Sequence, residues 1–400
     1  MRILALILSV SLVVTGCWSR RELTEVSFAG ILGVDWEEGK YMISLVISSP
    51  RRQSGEGGGS PSRRVWTVSQ DGPSLDAALA RMDQTLDRSL TLSHIRAIVF
   101  GEGMARRGIG PVMDFLLRSV EVRPTAWVSV TNGDAKTLLG ARPRQDELSE
   151  GPLGYQDAAQ RRSSLTMARR LTEVANILQE EGVDLTLPMF RRGDQPGPQG
   201  QESQEEAPLR GYEHEEFEVK FGGSGIFKGD KLVGWLNPDE TRGHLWVKDR
   251  IMQGAIIAQC PTPKPDQRIV FRLRHGEGEL KTRVENGQVK GSIEVKVVAD
   301  VNEISCEEPV LTDGNTEKLE QALDARMRKT IGQAVAAMKR ERSDFLGFGQ
   351  ALYRKQPAAF TSREKQWDEI LTQLPVTVDV SVRIPRLGQL NRRYRWKTGH

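Results

Sequence analysis

Between Arg191 and Glu206 the chain reads RRGDQPGPQGQESQEE, sixteen residues almost without an apolar side chain. Such a stretch cannot bury enough surface to offset the entropy of ordering it, so one continuous core cannot run through it. Residues 191–210 therefore read as a flexible acidic Gly/Pro linker or loop, and as the clearest boundary in the chain. A length of 400 residues also exceeds what one core usually serves, which predicts two or three domains.

On the amino-terminal side, residues 24–144 read as an α/β domain. Val26–Asp35 and Tyr41–Ser48 are apolar, partly β-branched runs around a Glu-Glu-Gly-Lys turn, the pattern of a hairpin. Val65–Val68 is a short strand. Ser74 is a candidate N-cap for a helix carrying Leu75, Ala78, Leu79, Met82 and Leu86 on one face. A strand at Ile95–Phe100, a helix opened by Pro111 and a strand at Ala126–Thr131 continue the alternation. Residues 145–190 form a middle helical/strand region, with helices expected near 154–162 and 165–181 and a strand over Val183–Phe190. Arg51–Arg64 reads as a mobile Gly/Ser/Arg loop.

Residues 211–400 read as an α+β domain. Strands are expected at 216–227, 251–259, 268–275, 278–285 and 289–300, then a helix over 315–341 and a late strand over Val376–Ile384. The helix repeats Leu319, Ala322, Leu323, Met327, Ile331, Ala334, Val335 and Met338 at three and four. The fold class is α/β and α+β, multi-domain, with mixed or antiparallel sheets flanked by helices.

The first residues have a different logic. Ile3–Val14 is a run of 12 apolar residues and serine after Arg2. It is shorter than the roughly 20 residues of a spanning helix and fits the apolar region of an export signal. Thr15 and Gly16, both small, precede Cys17, as a lipoprotein signal peptidase requires. Residues 1–16 are thus expected to be a lipoprotein signal peptide. Cys17 would carry a diacylglycerol, with a further N-acyl chain left open, and 17–23 would be a lipid-anchored membrane-proximal segment. An ordinary secretory signal or an uncleaved anchor is the alternative; the missing Ala-x-Ala pattern and the short run weigh against them. Arg20 and Arg21 would then face anionic lipid, each contributing about 1 kcal/mol.

Without residues 1–16 the chain has 55 Lys and Arg against 53 Asp and Glu, interspersed. It lacks the basic stripe of a nucleic-acid binder. None of the five histidines lies in an H-E-x-x-H pattern, and there is no C-x-x-C, G-x-S-x-G, P-loop or dinucleotide fingerprint. No catalytic residue, metal or cofactor other than the lipid is expected. Glu213-His214-Glu215-Glu216 is metal-like in composition, but strand alternation would split it between faces, so a solvated edge is expected. Glu240 and His244, four apart, read as a surface ion pair or cap. Cys260 and Cys306 read as two buried free thiols, with a disulfide as the alternative.

Two stretches stand out. Phe227–Gly243 reads as a strand, a Gly-Asp turn, a short strand and a helix capped by Asn237 with Pro238 first. Asp344-Phe345-Leu346-Gly347-Phe348-Gly349 reads as a helix end whose rings dock on the core. Packing and turn geometry account for both. A partner contact through Trp235, Glu240, Arg242, Phe345 and Phe348 is the functional reading.

Taken in order, the motifs resemble those of the Ger(x)C spore-germination lipoproteins. Gly16-Cys17-Trp18-Ser19-Arg20-Arg21-Glu22-Leu23 is similar to that family's lipobox and basic start, with Ser19 where an acidic residue is usual. Thr91–Arg96, Phe100-Gly101-Glu102, Phe115–Arg118 and Glu121-Val122-Arg123 resemble its N-terminal pattern. Lys231–Leu236 with Glu240–Gly243 resembles its central one. Asp344–Gly349, Trp367–Ile370 and Pro375-Val376 resemble its C-terminal one.

The resemblance implies a non-enzymatic lipoprotein on the outer face of the spore's inner membrane. It would be the C subunit of a nutrient germinant receptor, beside integral-membrane A and B subunits, in a three-domain fold without catalytic residues. A solute-binding lipoprotein that captures a nutrient itself is the alternative from the residues alone.

Overall fold

β1 (Val26–Glu37) and β2 (Lys40–Ser49) form the expected hairpin. Its turn is Glu38-Gly39 with φ of 47° and 81°, the doubly positive pattern that matches strand twist in a two-residue turn. The structure is a computed structural model and describes residues 25–49, 64–140, 151–154, 156–157, 160, 166–193, 195–197, 219–248, 254–260, 264, 267–306 and 316–385. The signal peptide and Cys17 segment, most of the 51–64 loop, most of 191–210, and Glu213–Glu216 lie outside them.

β3 (Arg64–Gly72) pairs with β2, and α1 (Leu75–Thr85) follows, capped by the Ser74 hydroxyl, which accepts from the Ala77 amide. Then come β4 (Ser89–Thr91), β5 (Ala97–Phe100), α2 (Glu102–Arg107), α3 (Gly110–Arg118), β6 (Trp127–Thr131) and α4 (Ala135–Gly140). A short helical stretch, α5 (Gly151–Gly154), precedes α6 (Leu171–Gln179) and β7 (Thr186–Arg192). β1, β5, β6 and β7 are parallel neighbours. Every residue of β5 and β6 is buried, as central strands covered on both faces require. Leu32, Val34, Ile98, Val112, Met113 and Val130 share the core on one face; Ile31, Ala97, Val99, Leu138 and Leu139 share the smaller one opposite.

The sheet does not stop at the 191–210 segment. β8 (Val219–Lys228) pairs antiparallel with β7, and β9 (Lys231–Leu236) pairs with β8. The nine-stranded sheet has the order β3-β2-β1-β5-β6-β7-β8-β9, with β4 beside β1. Composition marks 191–210 as a break, yet the backbone ladder resumes across it. Residues 219–236, expected with the C-terminal part, finish the first sheet.

The second sheet has the order β10-β11-β12-β13. These are β10 (Gly254–Gln259), β11 (Arg268–Glu285), β12 (Gln288–Ile304) and β13 (Val376–Arg383). α7 (Pro238–Val247) and α8 (Glu317–Glu341) supply its core with Trp246, Leu319, Leu323, Met327, Ile331 and Met338. α9 (Phe348–Lys355), α10 (Pro357–Thr361), a 3₁₀ turn and α11 (Trp367–Gln373) lead from α8 to β13.

Three expectations are corrected. The helix placed at 165–181 begins only at Leu171: the Val128 amide donates to the Arg169 carbonyl and Arg170 bridges Trp127, so this segment lies along β6. The strands expected at 268–275 and 278–285 are one strand. Gly278 does not break it; a Cβ there would meet the Trp246 carbonyl oxygen at 2.0 Å, so the glycine makes room for α7. Cys260 and Cys306 are joined in a disulfide rather than free, with Cα atoms 5.8 Å apart. β10 and β12 both pair with β11, and this brings the two cysteines together.

Candidate functional site

Cys17, Arg20 and Arg21 lie outside the described residues. The five residues singled out for partner contact are all buried: Trp235, Glu240, Arg242, Phe345 and Phe348. They hold two elements in place rather than offering a surface, so the packing account applies to them.

The first element is α7. Asn237 accepts from the Glu240 amide at 2.8 Å and Glu240 accepts from the Asn237 amide at 2.9 Å, a reciprocal capping box with Pro238 at the first position. The other oxygen of Glu240 accepts from Arg340 of α8 at 3.2 Å. Glu240 is thus a cap, as expected, but a buried one. His244 is buried too, its ring set edge-on to Phe345 with centroids 5.0 Å apart. Asp239 accepts from Arg326 of α8 at 3.0 Å and lies 3.8 Å from Arg242. The Thr241 hydroxyl donates to Ser224 of β8. One face of α7 is therefore tied to α8 and the other to the first sheet.

The second element is Asp344. α8 ends at Arg342 in the left-handed region, and the chain turns through Gly347 at φ 82° into α9. The Asp344 carboxylate is buried inside this turn. One oxygen accepts from the Gly347 and Phe348 amides at 2.8 and 2.9 Å. The other accepts from the Gly349 amide at 2.6 Å and the Trp367 indole at 3.0 Å. Burial pushes its pKa up, while the donors and nearby Lys248 pull it down. The Lys248 ammonium is depressed to about 8, chiefly by burial. It sits where a Cβ on Gly347 would be 2.7 Å away.

Around Asp344 lies the seam between the two sheets. The Asp344 amide donates to Asp184 at 2.7 Å, and the Asp184 amide donates back to the Asp344 carbonyl at 3.1 Å. Ser343 donates to the Phe227 carbonyl at 2.9 Å, and the Gln350 amide to the Gly182 carbonyl at 2.7 Å. The Lys228 ammonium joins Asp184 at 3.3 Å, Asp368 at 2.7 Å and the Arg342 carbonyl at 3.1 Å. The sequence hides this seam, because Asp184, Lys228, Asp344 and Asp368 are far apart in the chain. Only the glycines after Asp344 signal a turn.

Chemically the seam holds and orients. The Asp344 oxygens already accept four donors, and a carboxylate so engaged is a poor base or ligand. At the carboxyl end of β1, Asp35 is similarly committed. Its oxygens accept the Ala135 and Lys136 amides at 2.8 and 3.0 Å, capping α4, and burial raises its pKa to about 6. Among the described residues no group of three or more His, Cys, Asp or Glu is placed to hold a metal, and no helix is long and apolar enough to cross a membrane. An open depression of about 460 Å³ on β11 and β12 is lined by His275, Glu277, Glu279, Glu294 and Lys296. Its charges pair locally: Lys281 binds Glu279 at 2.8 Å and Glu294 at 3.5 Å.

Residues 19–192 match the family model described as spore germination protein N-terminal domain, and residues 222–388 match spore germination B3/GerAC like, C-terminal. The chain is 25% identical to spore germination protein KC of Bacillus subtilis (strain 168), over 97% of this chain and 96% of that protein. It is 21% identical to spore germination protein GerQC of Bacillus cereus, over 96% and 98%. The crystal structure of the GerBC protein shares its fold, with a TM-score of 0.54 and 18% identity, covering 88% of this chain and 96% of that one.

Proposed function

Because the chain belongs to the Ger(x)C family of spore germination proteins, we propose that it is the non-enzymatic, lipid-anchored C subunit of a germinant receptor, required for nutrient-triggered spore germination. Cys17 carries the lipid, on the outer face of the inner spore membrane, and the partners are integral-membrane A and B subunits. The observation that carries this reading is that both halves of the chain match germination-protein families in order, over 19–192 and 222–388. The buried polar seam supports it. Side chains that looked like site residues are spent on fixing two sheets against each other, which suits a scaffold that presents a surface.

Deleting the gene, in a strain without a second copy of this type, is expected to abolish germination with nutrients while leaving germination by a receptor-independent trigger intact. Normal nutrient germination in that strain would sink the reading. Affinity capture of the tagged protein from spore membranes is expected to bring two integral-membrane subunits with it.

A further inference from the structure

Among the described residues four large apolar side chains are exposed: Leu117, Val120, Val233 and Tyr353. Two of them share one short stretch, the end of α3 and the turn Ser119-Val120-Glu121 after it. Val120 is fully exposed, at the tip of that turn.

The turn is held at a defined place. Glu121 accepts from the Leu92 amide at 2.8 Å, which fixes it on the chain just after β4. β4 pairs with the first three residues of β1, Val26 with Ser89 and Phe28 with Thr91. The Ser89 hydroxyl donates to the Glu25 carbonyl at 3.2 Å. The apolar tip thus lies at the same end of the sheet as the start of β1. Glu25 stands eight positions after Cys17, a reach of about 29 Å at full extension.

The charge there matches the same surface. Residues 88–96 and 117–125, the two segments at this end of the sheet, carry Arg88, Arg96, Arg118 and Arg123 and one acid, Glu121, with Asp87 before them and Asp83 accepting from the Leu90 amide at 2.8 Å. Glu121 is engaged with the Leu92 amide, and Arg118 pairs with Asp114 one turn back on α3 at 2.8 Å. Arg96, Arg118 and Arg123 are exposed. An exposed apolar tip with arginines in the adjoining segments is a composition suited to the boundary between lipid head groups and acyl chains.

We infer that the Leu117–Val120 tip and the arginines beside it rest on the anionic lipid surface that carries the anchor, setting the orientation of the first sheet relative to the membrane. This rests on the reading of Cys17 as the lipid site. An acyl anchor with a short tether fixes distance alone; the tip supplies the second contact that fixes which end of the sheet faces the bilayer.

The test uses the full, lipid-modified chain in vesicles of phosphatidylglycerol and phosphatidylethanolamine with brominated acyl chains. An environment-sensitive label is placed through Val120→Cys, and through Val233→Cys on the β9 edge as the reference. Bromine is expected to quench the label at position 120 several-fold more than the label at 233. If the chain stays on washed vesicles but the two labels are quenched alike, the inference is overturned and the anchor stands. If the chain washes off, the anchor reading fails and this inference with it.

Discussion

Gly243 of α7 lies so close to Thr330 of α8 that a Cβ on it would stand 2.4 Å from the Thr330 carbonyl oxygen and 3.0 Å from the Ala334 methyl. In an open helix, Gly→Ala would be favourable by about 1 kcal/mol. Here the obstacle is backbone, which cannot swing aside, so the sign reverses. Gly243→Ala is expected to destabilise by about 1–3 kcal/mol, read as a lower urea midpoint at unchanged slope. A variant as stable as the parent would show that the two helices can part at no cost.

Asp344 gives a second expectation. In Asp344→Asn one carboxylate oxygen becomes an amide NH₂ facing N–H donors. Whichever oxygen is replaced, two of the four donors now satisfied lose their acceptor, and the loss is on the order of 3 kcal/mol. The Trp367 indole is one of those donors, so tryptophan emission is expected to shift along with the unfolding midpoint. Parent-like emission and midpoint together would contradict the geometry.

Periodicity was readable where a pattern is local. The β1–β2 hairpin, the Ser74 and Asn237 caps and the stripe of α8 all lie in windows where spacing alone reports burial. Long-range demands were not readable. Gly278 looks like a break until Trp246 is known to approach it, and Arg169 looks helical until β6 claims its carbonyl. β8 and β9 look like the start of a new domain because composition, not pairing, marks the boundary before them. The candidate site was legible as motifs and illegible as roles: Glu240, Arg242, Phe345 and Phe348 were found, but their burial depends on α8 and Asp344 together.

Asp35 makes stability depend on pH with a definite sign. Its pKa rises from 3.8 to about 6 in the fold, mainly through burial, with Asp134 and Glu37 adding to the rise. Between these values the folded chain holds a proton that the unfolded chain has released. Stability from this group is therefore full below the lower value and falls as pH climbs through the upper one, by on the order of 3 kcal/mol. Asp35→Asn is expected to lower stability at acid pH, where one capping acceptor is lost, and to flatten the profile between pH 4 and 6. Urea melts at pH 4, 5 and 6 on both proteins check this, and parallel profiles would refute it.

The Cys260–Cys306 bond closes a separation of 46 residues. In the chain-entropy account a loop of that length restricts the unfolded state by about 4 kcal/mol. The double serine variant is expected to lose about 2–4 kcal/mol, chiefly in the second sheet. Reductant should lower the melting temperature of the parent and leave the variant unchanged. A parent insensitive to reductant in the unfolding transition would count against the bond as a support.

Arg328 of α8 closes the outer edge of β13. Its guanidinium donates to the carbonyls of Val378 and Val380, the latter at 3.3 Å, and is held by Asp324 one turn back at 2.9 Å. Among the described residues β13 is the last strand of its sheet, and an edge with free carbonyls is a template for another strand. Arg328 is partly exposed, so its ion pairs contribute about 1 kcal/mol or less to stability. The larger consequence concerns association. Arg328→Ala is expected to keep nearly the parental unfolding midpoint yet form dimers and higher species as concentration rises, seen by sedimentation velocity. Asp379→Ala, which removes only an exposed carboxylate 3.4 Å from Arg328, should stay as the parent. If Arg328→Ala sediments as the parent does at every concentration, the arginine is an ordinary surface pair and the edge is guarded by something else.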